Sequence, residues 1–327
     1  MNNNSIIITM GDPAGIGPEV ILKSFTDHYV ANLPLVVFGD FAILAYFKNL
    51  FRVNSFDLYP IASIEEAQFS SRKLNVLDFK NVSMDTYQMG TLKKEYGDAS
   101  FNYIVQSIHA VLDGKARSVV TGPINKEALH LAGHIYPGHT EIFAEYAQSN
   151  DYAMLLYDEK LSVIHVSTHV ALEKAIQLIT KERIQRVIEL ADYNMSKIKN
   201  GPVKIAVAGL NPHASENGLF GQQENEIIAP AIEAMKGSYD VIGPISPDTI
   251  FTRGLKKEFD IVIAMYHDQG HIPFKLYAFD SGVNTSVGLS IIRTSVDHGT
   301  AFDITGKGVA KFESMIAAIR LCDKLSS

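Results

Sequence analysis

A run of β-branched residues that stops abruptly in polar side chains constrains this chain more than any other stretch: Phe259-Asp260-Ile261-Val262-Ile263-Ala264-Met265, then Tyr266-His267-Asp268-Gln269-Gly270-His271. A short, nearly continuous apolar segment of this kind reads as a strand buried on both faces, as in the parallel sheets of α/β proteins. Open α/β sheets bind their ligands beyond the carboxyl ends of their strands. The polar tip is therefore where chemistry is expected. The pattern recurs along the chain. Ser5 to Met10 breaks at Gly11-Asp12-Pro13-Ala14-Gly15-Ile16-Gly17-Pro18-Glu19 and Ser118 to Thr121 at Gly122-Pro123-Ile124-Asn125-Lys126, and Leu35-Val36-Val37-Phe38-Gly39-Asp40 reads as a second strand. Leu161 to Val166 runs into Ser167-Thr168-His169, and Val203 to Ala208 into Gly209-Leu210-Asn211-Pro212-His213. Further strands are expected at Phe56 to Ile61 and Leu74 to Phe79. Tyr152 to Tyr157 should pair with Leu161 to Val166 through the Asp158-Glu159-Lys160 connection.

Helical periods separate these runs. Phe101, Ile104, Val105, Ile108, Val111 and Leu112 recur at helical spacing, which predicts a helix opened by Asp98 and stopped by Gly114. Other helices are expected from Ile43 to Leu50, up to about Lys199, and from about Phe312 to Leu325. The 327 residues suffice for two domains with their own cores, and 46% hydrophobic with 20% charged residues excludes a disordered chain. A net charge of -7 argues against a nucleic-acid surface. The one cysteine, Cys322, excludes an internal disulfide framework and fits a reducing compartment, and its helical setting marks it as core. The start Met1-Asn2-Asn3-Asn4-Ser5 lacks the basic and long apolar regions of a signal peptide, and no apolar run approaches the ~18 residues of a membrane span. The expectation is a cytoplasmic α/β enzyme.

His169, His213 and His267 each stand just beyond the end of an apolar strand. Three imidazoles drawn from three strand ends would form an open metal site, with the remaining positions left to water or substrate. Their long separations supply no local ligand spacing, so hydrogen-bonded structural histidines remain the alternative. The glycine loop from Gly11 to Glu19 is either a tight structural turn or an anion cradle at a helix start, and it lacks the spacing of the classical dinucleotide fingerprint. His139 and Thr140, in Tyr136-Pro137-Gly138-His139-Thr140-Glu141, open a helix whose free amides favour negative charge; capping is their plain role. Segments Gly282 to Leu289, Ile291 to Ser295 and Asp297 to Gly308 are too polar and glycine-rich to be core throughout, and read as loops suited to a dinucleotide. Lys275 and Arg293 are the natural phosphate or carboxylate partners. Either is otherwise a surface ion pair.

The stretches Ile8-Thr9-Met10-Gly11-Asp12-Pro13-Ala14-Gly15-Ile16-Gly17-Pro18-Glu19, Thr121-Gly122-Pro123-Ile124-Asn125-Lys126, Gly138-His139-Thr140-Glu141, Asn211-Pro212-His213-Ala214, Tyr266-His267-Asp268-Gln269-Gly270 and Arg293-Thr294-Ser295-Val296-Asp297-His298-Gly299-Thr300 resemble the 4-hydroxythreonine-4-phosphate dehydrogenase family, in order and over nearly the whole chain. The resemblance implies two α/β/α domains with a cleft between them, like the isocitrate and isopropylmalate dehydrogenases, and a homodimer whose active sites use both subunits. The domains would be 1–125 with 285–327, carrying the NAD loop, and 126–284, carrying metal ligands and dimer contacts.

Carried over by motif, His169, His213 and His267 would bind a divalent metal, zinc first and otherwise cobalt, magnesium or manganese. His139, Thr140, Lys275, Asn284 and Arg293 would contact substrate. Gly299, Thr300, Asp303, Gly306 and Lys307 would hold NAD. Lys275, Asp248 and Asp268 are the candidate proton acceptors. The implied reaction is NAD-dependent oxidation of a secondary alcohol followed by decarboxylation, converting 4-hydroxythreonine 4-phosphate to 3-amino-2-oxopropyl phosphate in pyridoxal phosphate biosynthesis. Gly270 to Lys275, Asn125 to His134 and the segments from Asp151 to Met154 and Val163 to His169 look closer to a sister branch that oxidises D-threonate or D-erythronate 4-phosphate to dihydroxyacetone phosphate. A diol dehydrogenase of an aromatic cis-diol carboxylate and a non-catalytic binding protein are the rival readings.

Overall fold

The structure, a computed structural model, describes residues 4–149 and 151–327; Met1-Asn2-Asn3, part of the segment read for a leader, lie outside the described residues. In chain order the first elements are β1 (Ile6–Thr9), α1 (Gly17–Ser24), α2 (His28–Ala31), β2 (Leu35–Gly39), α3 (Phe41–Leu50), β3 (Asp57–Ile61), β4 (Lys73–Asp78), α4 (Lys94–Leu112), β5 (Ser118–Thr121), α5 (Lys126–Leu131) and α6 (His139–Tyr146). Next come β6 (Ala153–Tyr157), β7 (Ser162–His165), α7 (Leu172–Gln177), α8 (Lys181–Lys199), β8 (Lys204–Ala208), α9 (Ala229–Met235), β9 (Asp240–Ile245), α10 (Pro247–Leu255), β10 (Ile261–Ala264), α11 (His267–Ala278) and β11 (Val283–Val287). The chain closes with β12 (Ile292–Val296) and α12 (Glu313–Ser326).

Two compact units result, residues 4–149 with Leu289–Ser327 and Asp151–Gly288. In the first unit the strands follow the order β3-β4-β2-β1-β5-β12, all parallel. Every residue of β1, β2 and β5 is buried, so helices must cover both faces, as expected of continuous apolar strands. In the second unit the order is β11-β6-β7-β10-β8-β9. Here β7, β10, β8 and β9 run parallel, whereas β6 is antiparallel to both β7 and β11. The predicted pair across Asp158 to Lys160 is this β6–β7 hairpin.

Several sequence expectations need correction. The helix expected from Asp98 opens a full turn earlier, at Lys94, because Tyr96 is buried and Gly97 is pressed against another helix. A Cβ at Gly97 would lie 2.0 Å from the Ala128 carbonyl oxygen, so this glycine serves close packing of α4 on α5. The same contact explains why the first unit extends to residue 149, and not to 125: α5 belongs to the core that α4 covers. We expect Gly97→Ala to cost at least about 1–3 kcal/mol of stability through overpacking, read as a lower thermal midpoint at unchanged composition of secondary structure.

Segments 283–287 and 292–296, read as loops, are buried strands. Their polar side chains are accommodated by tertiary hydrogen bonds such as Thr294 Oγ1 to the Ala318 carbonyl, 2.8 Å. Half-buried His134 stacks on Phe101, ring centroids 3.7 Å apart, and bonds Asp98 at 2.9 Å. Cys322 is fully buried in α12, where burial pushes its thiol up to about 11.

At the end of β1 the chain turns through Asp12. Its Oδ1 accepts the Ala14 N–H at 2.8 Å, while Oδ2 is buried with no partner among the described residues. Burial raises this carboxyl from 3.8 to about 7, against the lowering effect of the Ala14 N–H. A raised carboxyl pKa favours the protonated folded state, so its contribution is fully present below about pH 4 and is lost as pH rises through 7. The stability difference between wild type and Asp12→Asn should therefore fall by a few kcal/mol from pH 4.5 to pH 7.5, as measured by urea unfolding.

Candidate active site

In the second unit the ends of β7, β8 and β10 carry the singled-out histidines. Ser167 Oγ donates to the Met265 carbonyl at 3.0 Å, tying the end of β7 to that of β10. Gln269 ties β10 to β8: its Oε1 accepts the Met265 N–H at 2.6 Å and its Nε2 donates to the Gly209 carbonyl at 2.7 Å. The buried carboxylate of Glu224 holds the following loop by accepting the N–H groups of Leu210 and Asn211 at 2.8 and 2.7 Å. These bonds set three polar tips beside one another.

His169 and His267 come together, their ring centroids 5.6 Å apart, in a hollow of about 290 Å³ with Ser167, Thr168, Tyr266 and Asp268. His213 lines a neighbouring hollow of about 360 Å³ with Pro247, Asp248 and Gln269, and Tyr266 lines both. Among the described residues no three His, Cys, Asp or Glu side chains converge as a metal site in this arrangement. The loop that carries His213 is tightly turned, with positive φ from His213 to Asn217. The donor chemistry nonetheless suits a cation. His267 gives its Nδ1–H to Asp268 Oδ1 at 2.6 Å, which leaves the Nε2 lone pair for a ligand.

Asp248 accepts a hydrogen bond from Ser246, which holds its carboxyl below the usual range, with His213 acting in the same direction. Lys275 lies two turns along α11 from His267, at positions i and i+8 of one face. Asn284 sits on β11, in register with Leu156.

The sequence places His271 in the polar tip without a role of its own and gives His165 none. His165 is buried at the end of β7 and His271 lies between His267 and Lys275 on α11. Burial lowers their pKa values to about 3 and about 4, helped by the neighbouring imidazoles. The i, i+4, i+8 spacing of His267, His271 and Lys275 was the available signal; it goes unread when the stretch is taken only as a strand tip, and Pro273 disguises the helix further.

In the first unit Arg293, on β12, is buried at 3% exposure. Its Nη2 donates to Thr121 Oγ1 at 2.9 Å and its Nη1 to Thr140 Oγ1 at 3.4 Å, and its guanidinium lies 5.5 Å from the Phe143 ring centre. Burial depresses it to about 10, opposed by Glu141, so it is charged at neutral pH. Beside it His139 opens α6. Its Nε2 is sealed from solvent without a partner among the described residues, and burial together with the Arg293 charge holds the ring well below its ordinary pKa. The structure thus joins His139, Thr140 and Arg293 in one polar cluster.

The glycine loop and the 299–308 loop also meet. The Ile16 N–H donates to the Thr300 carbonyl at 3.0 Å, and a Cβ at Gly15 would lie 2.9 Å from Thr300 Cβ. Gly299, Thr300, Asp303, Gly306 and Lys307 lie on this one loop, whose turn at Gly306 needs φ +78°. At Gly11, with φ +74°, a Cβ would lie 2.3 Å from the Pro123 carbonyl oxygen, so this glycine is required by the turn itself.

A model of the family described as "Pyridoxal phosphate biosynthetic protein PdxA" matches residues 31–322. D-threonate 4-phosphate dehydrogenase of Salmonella typhimurium is 45% identical over 327 residues, all of both chains. A solved 4-hydroxythreonine-4-phosphate dehydrogenase from Klebsiella pneumoniae superposes with TM-score 0.88 at 45% identity, covering 99% of this chain and 100% of its own. Isocitrate dehydrogenase from Methylococcus capsulatus shares the fold alone, with TM-score 0.50 at 15% identity over 98% of this chain and 84% of its own. The chain, with parallel strands ending in the histidine-bearing tips and the buried arginine cluster described above, belongs to the PdxA family and is a dehydrogenase.

Proposed function

We propose that the chain oxidises the C3 hydroxyl of a four-carbon sugar-acid 4-phosphate, D-threonate 4-phosphate or D-erythronate 4-phosphate, and that the resulting β-keto acid loses carbon dioxide to give dihydroxyacetone phosphate. The observation that carries this reading is Arg293, a charged guanidinium sealed in the protein beside His139 and Thr140 at a helix start. Such a group suits a phosphate through its planar fork. The full-length D-threonate relative supports the substrate. A second reading, 4-hydroxythreonine 4-phosphate giving 3-amino-2-oxopropyl phosphate, is supported by the solved relative of equal identity.

His169, His213 and His267 would hold a divalent cation, zinc by the softness of imidazole ligands. When bound, the cation supplies Lewis acidity to the alcohol and to the negative charge that develops on decarboxylation. The Gly299–Gly308 loop would take NAD, which supplies the hydride acceptor. The protein's own residues do the rest. His139, Thr140 and Arg293 would hold the phosphate, and Asn284 would add a polar contact to substrate. Lys275, Asp248 and Asp268 are the groups proposed to take the hydroxyl proton, with Asp268 also orienting His267 and Asp248 accepting from Ser246. A second copy of the chain would cover Ile272 and Leu276 of α11 and Phe279 just past its end, which stand 58%, 84% and 72% exposed, and so make a homodimer with shared active sites. A free Cys322 fits the cytoplasm. No helix among the described residues is long and apolar enough to cross a membrane.

The test is NAD reduction by the purified protein with zinc, cobalt, manganese or magnesium, comparing the D-threonate, D-erythronate and 4-hydroxythreonine phosphates with an aromatic cis-diol carboxylate. Preference for the sugar-acid phosphates is expected. Preference for the amino substrate selects the second reading, and activity on the diol alone overturns both.

A further inference from the structure

We propose that His165 and His271 form a positioning pair that fixes the imidazole plane of His267, a role that rests on the reading of His267 as a cation ligand. The Met154 carbonyl lies 3.2 Å from His165 Nδ1. A carbonyl can only accept, so Nδ1 of this buried ring carries the proton and Nε2 keeps its lone pair. That lone pair faces His271 Nδ1 at 3.2 Å, and the His267 carbonyl oxygen stands 3.1 Å from the same nitrogen. Both neighbours accept, so the His271 Nδ1–H is shared between them and its ring plane is set by two partners.

Held in this way, His271 lies flat against His267, with ring centroids 3.6 Å apart and planes 11° from parallel. The stack fixes the tilt of His267, and the bond to Asp268 fixes its rotation. Gly270 makes room for the arrangement, since a Cβ there would lie 2.3 Å from His165 Nε2. Neither His165 nor His271 lines the hollow that His169 and His267 share. They reach it through His267.

The test uses the full chain as wild type, His271→Leu and His271→Phe. The first readout is metal-free: imidazole ¹⁵N signals at pH 8. Wild type is expected to show single Nδ1–H tautomers at His165, His271 and His267. His271→Leu removes the stack that holds the His267 ring in the plane where its Nδ1–H meets Asp268, and should move the His267 signals toward the average of two tautomers, while His271→Phe, which keeps a flat ring, should preserve them. The second readout is cobalt(II) titration followed by visible absorption, in which His271→Leu is expected to bind about 10- to 100-fold more weakly than wild type. His271→Phe should recover most of that loss. An unchanged His267 tautomer and unchanged cobalt affinity in His271→Leu overturn the proposal. Failure of wild type to bind cobalt overturns the cation reading instead, and the ¹⁵N signals then decide the positioning role alone. If His271→Leu does not fold, His165→Phe decides in its place, because it removes the acceptor beneath His271 while filling the cavity; an undisturbed His267 signal in that variant likewise overturns the proposal.

Discussion

Replacing Arg293 with methionine is expected to lower kcat/KM for the phosphorylated substrate by about 2–5 kcal/mol, roughly 30-fold to several thousandfold. The physical reason is desolvation. A guanidinium at 3% exposure has already lost its water, so a phosphate docking against it gains a charge interaction in a low-dielectric setting without further cost to the arginine. The loss should fall mainly on KM, because the phosphate is bound alike in ground and transition states. Stability should fall as well, because methionine leaves the buried Thr121 and Thr140 hydroxyls and the Glu141 charge without the guanidinium. Arg293→Lys keeps charge but loses the fork to Thr121 and Thr140, and should recover only part of the affinity. Steady-state kinetics and a thermal melt of both variants check the result. Wild-type KM in Arg293→Met would remove the phosphate from this cluster.

His267→Ala is expected to act on turnover. If the cation bound at this imidazole contributes several kcal/mol to the chemical step, its loss lowers kcat about a thousandfold or more at saturating substrate. The side chain is 36% exposed, so the variant should melt close to wild type. Cobalt titration separates the two ways in which the activity can fail. Weak cobalt binding together with low kcat supports a ligand role, whereas tight binding with low kcat points to a role in substrate positioning. Wild-type kcat in a variant that binds no cobalt would refute the metal reading of this histidine.

Much of this molecule is legible in its sequence, because its strands are buried on both faces and so write themselves as unbroken β-branched runs. The runs 5–10, 35–40 and 259–265 contain strands Ile6–Thr9, Leu35–Gly39 and Ile261–Ala264, and the rule that ligands lie beyond such strand ends pointed to His169, His213 and His267. Local glycine chemistry likewise marked the turn at Gly114, which has φ +70°. The structure alone decided what depends on partners distant in sequence. Strands β11 and β12 look like loops because their threonines, serines and Arg293 are polar; they are strands because the fold supplies each with a hydrogen-bonding neighbour, such as the Ala318 carbonyl for Thr294. Helix α4 starts at Lys94 because Gly97 meets Ala128, a contact that overrides the weak helix propensity of glycine. His165 and His271 are 106 residues apart and share no local pattern, yet they meet at 3.2 Å. Periodicity reports which face of an element is buried, since that is a property of the element itself. Which imidazole faces which is fixed only when two elements pack, and that information is spread over the whole chain.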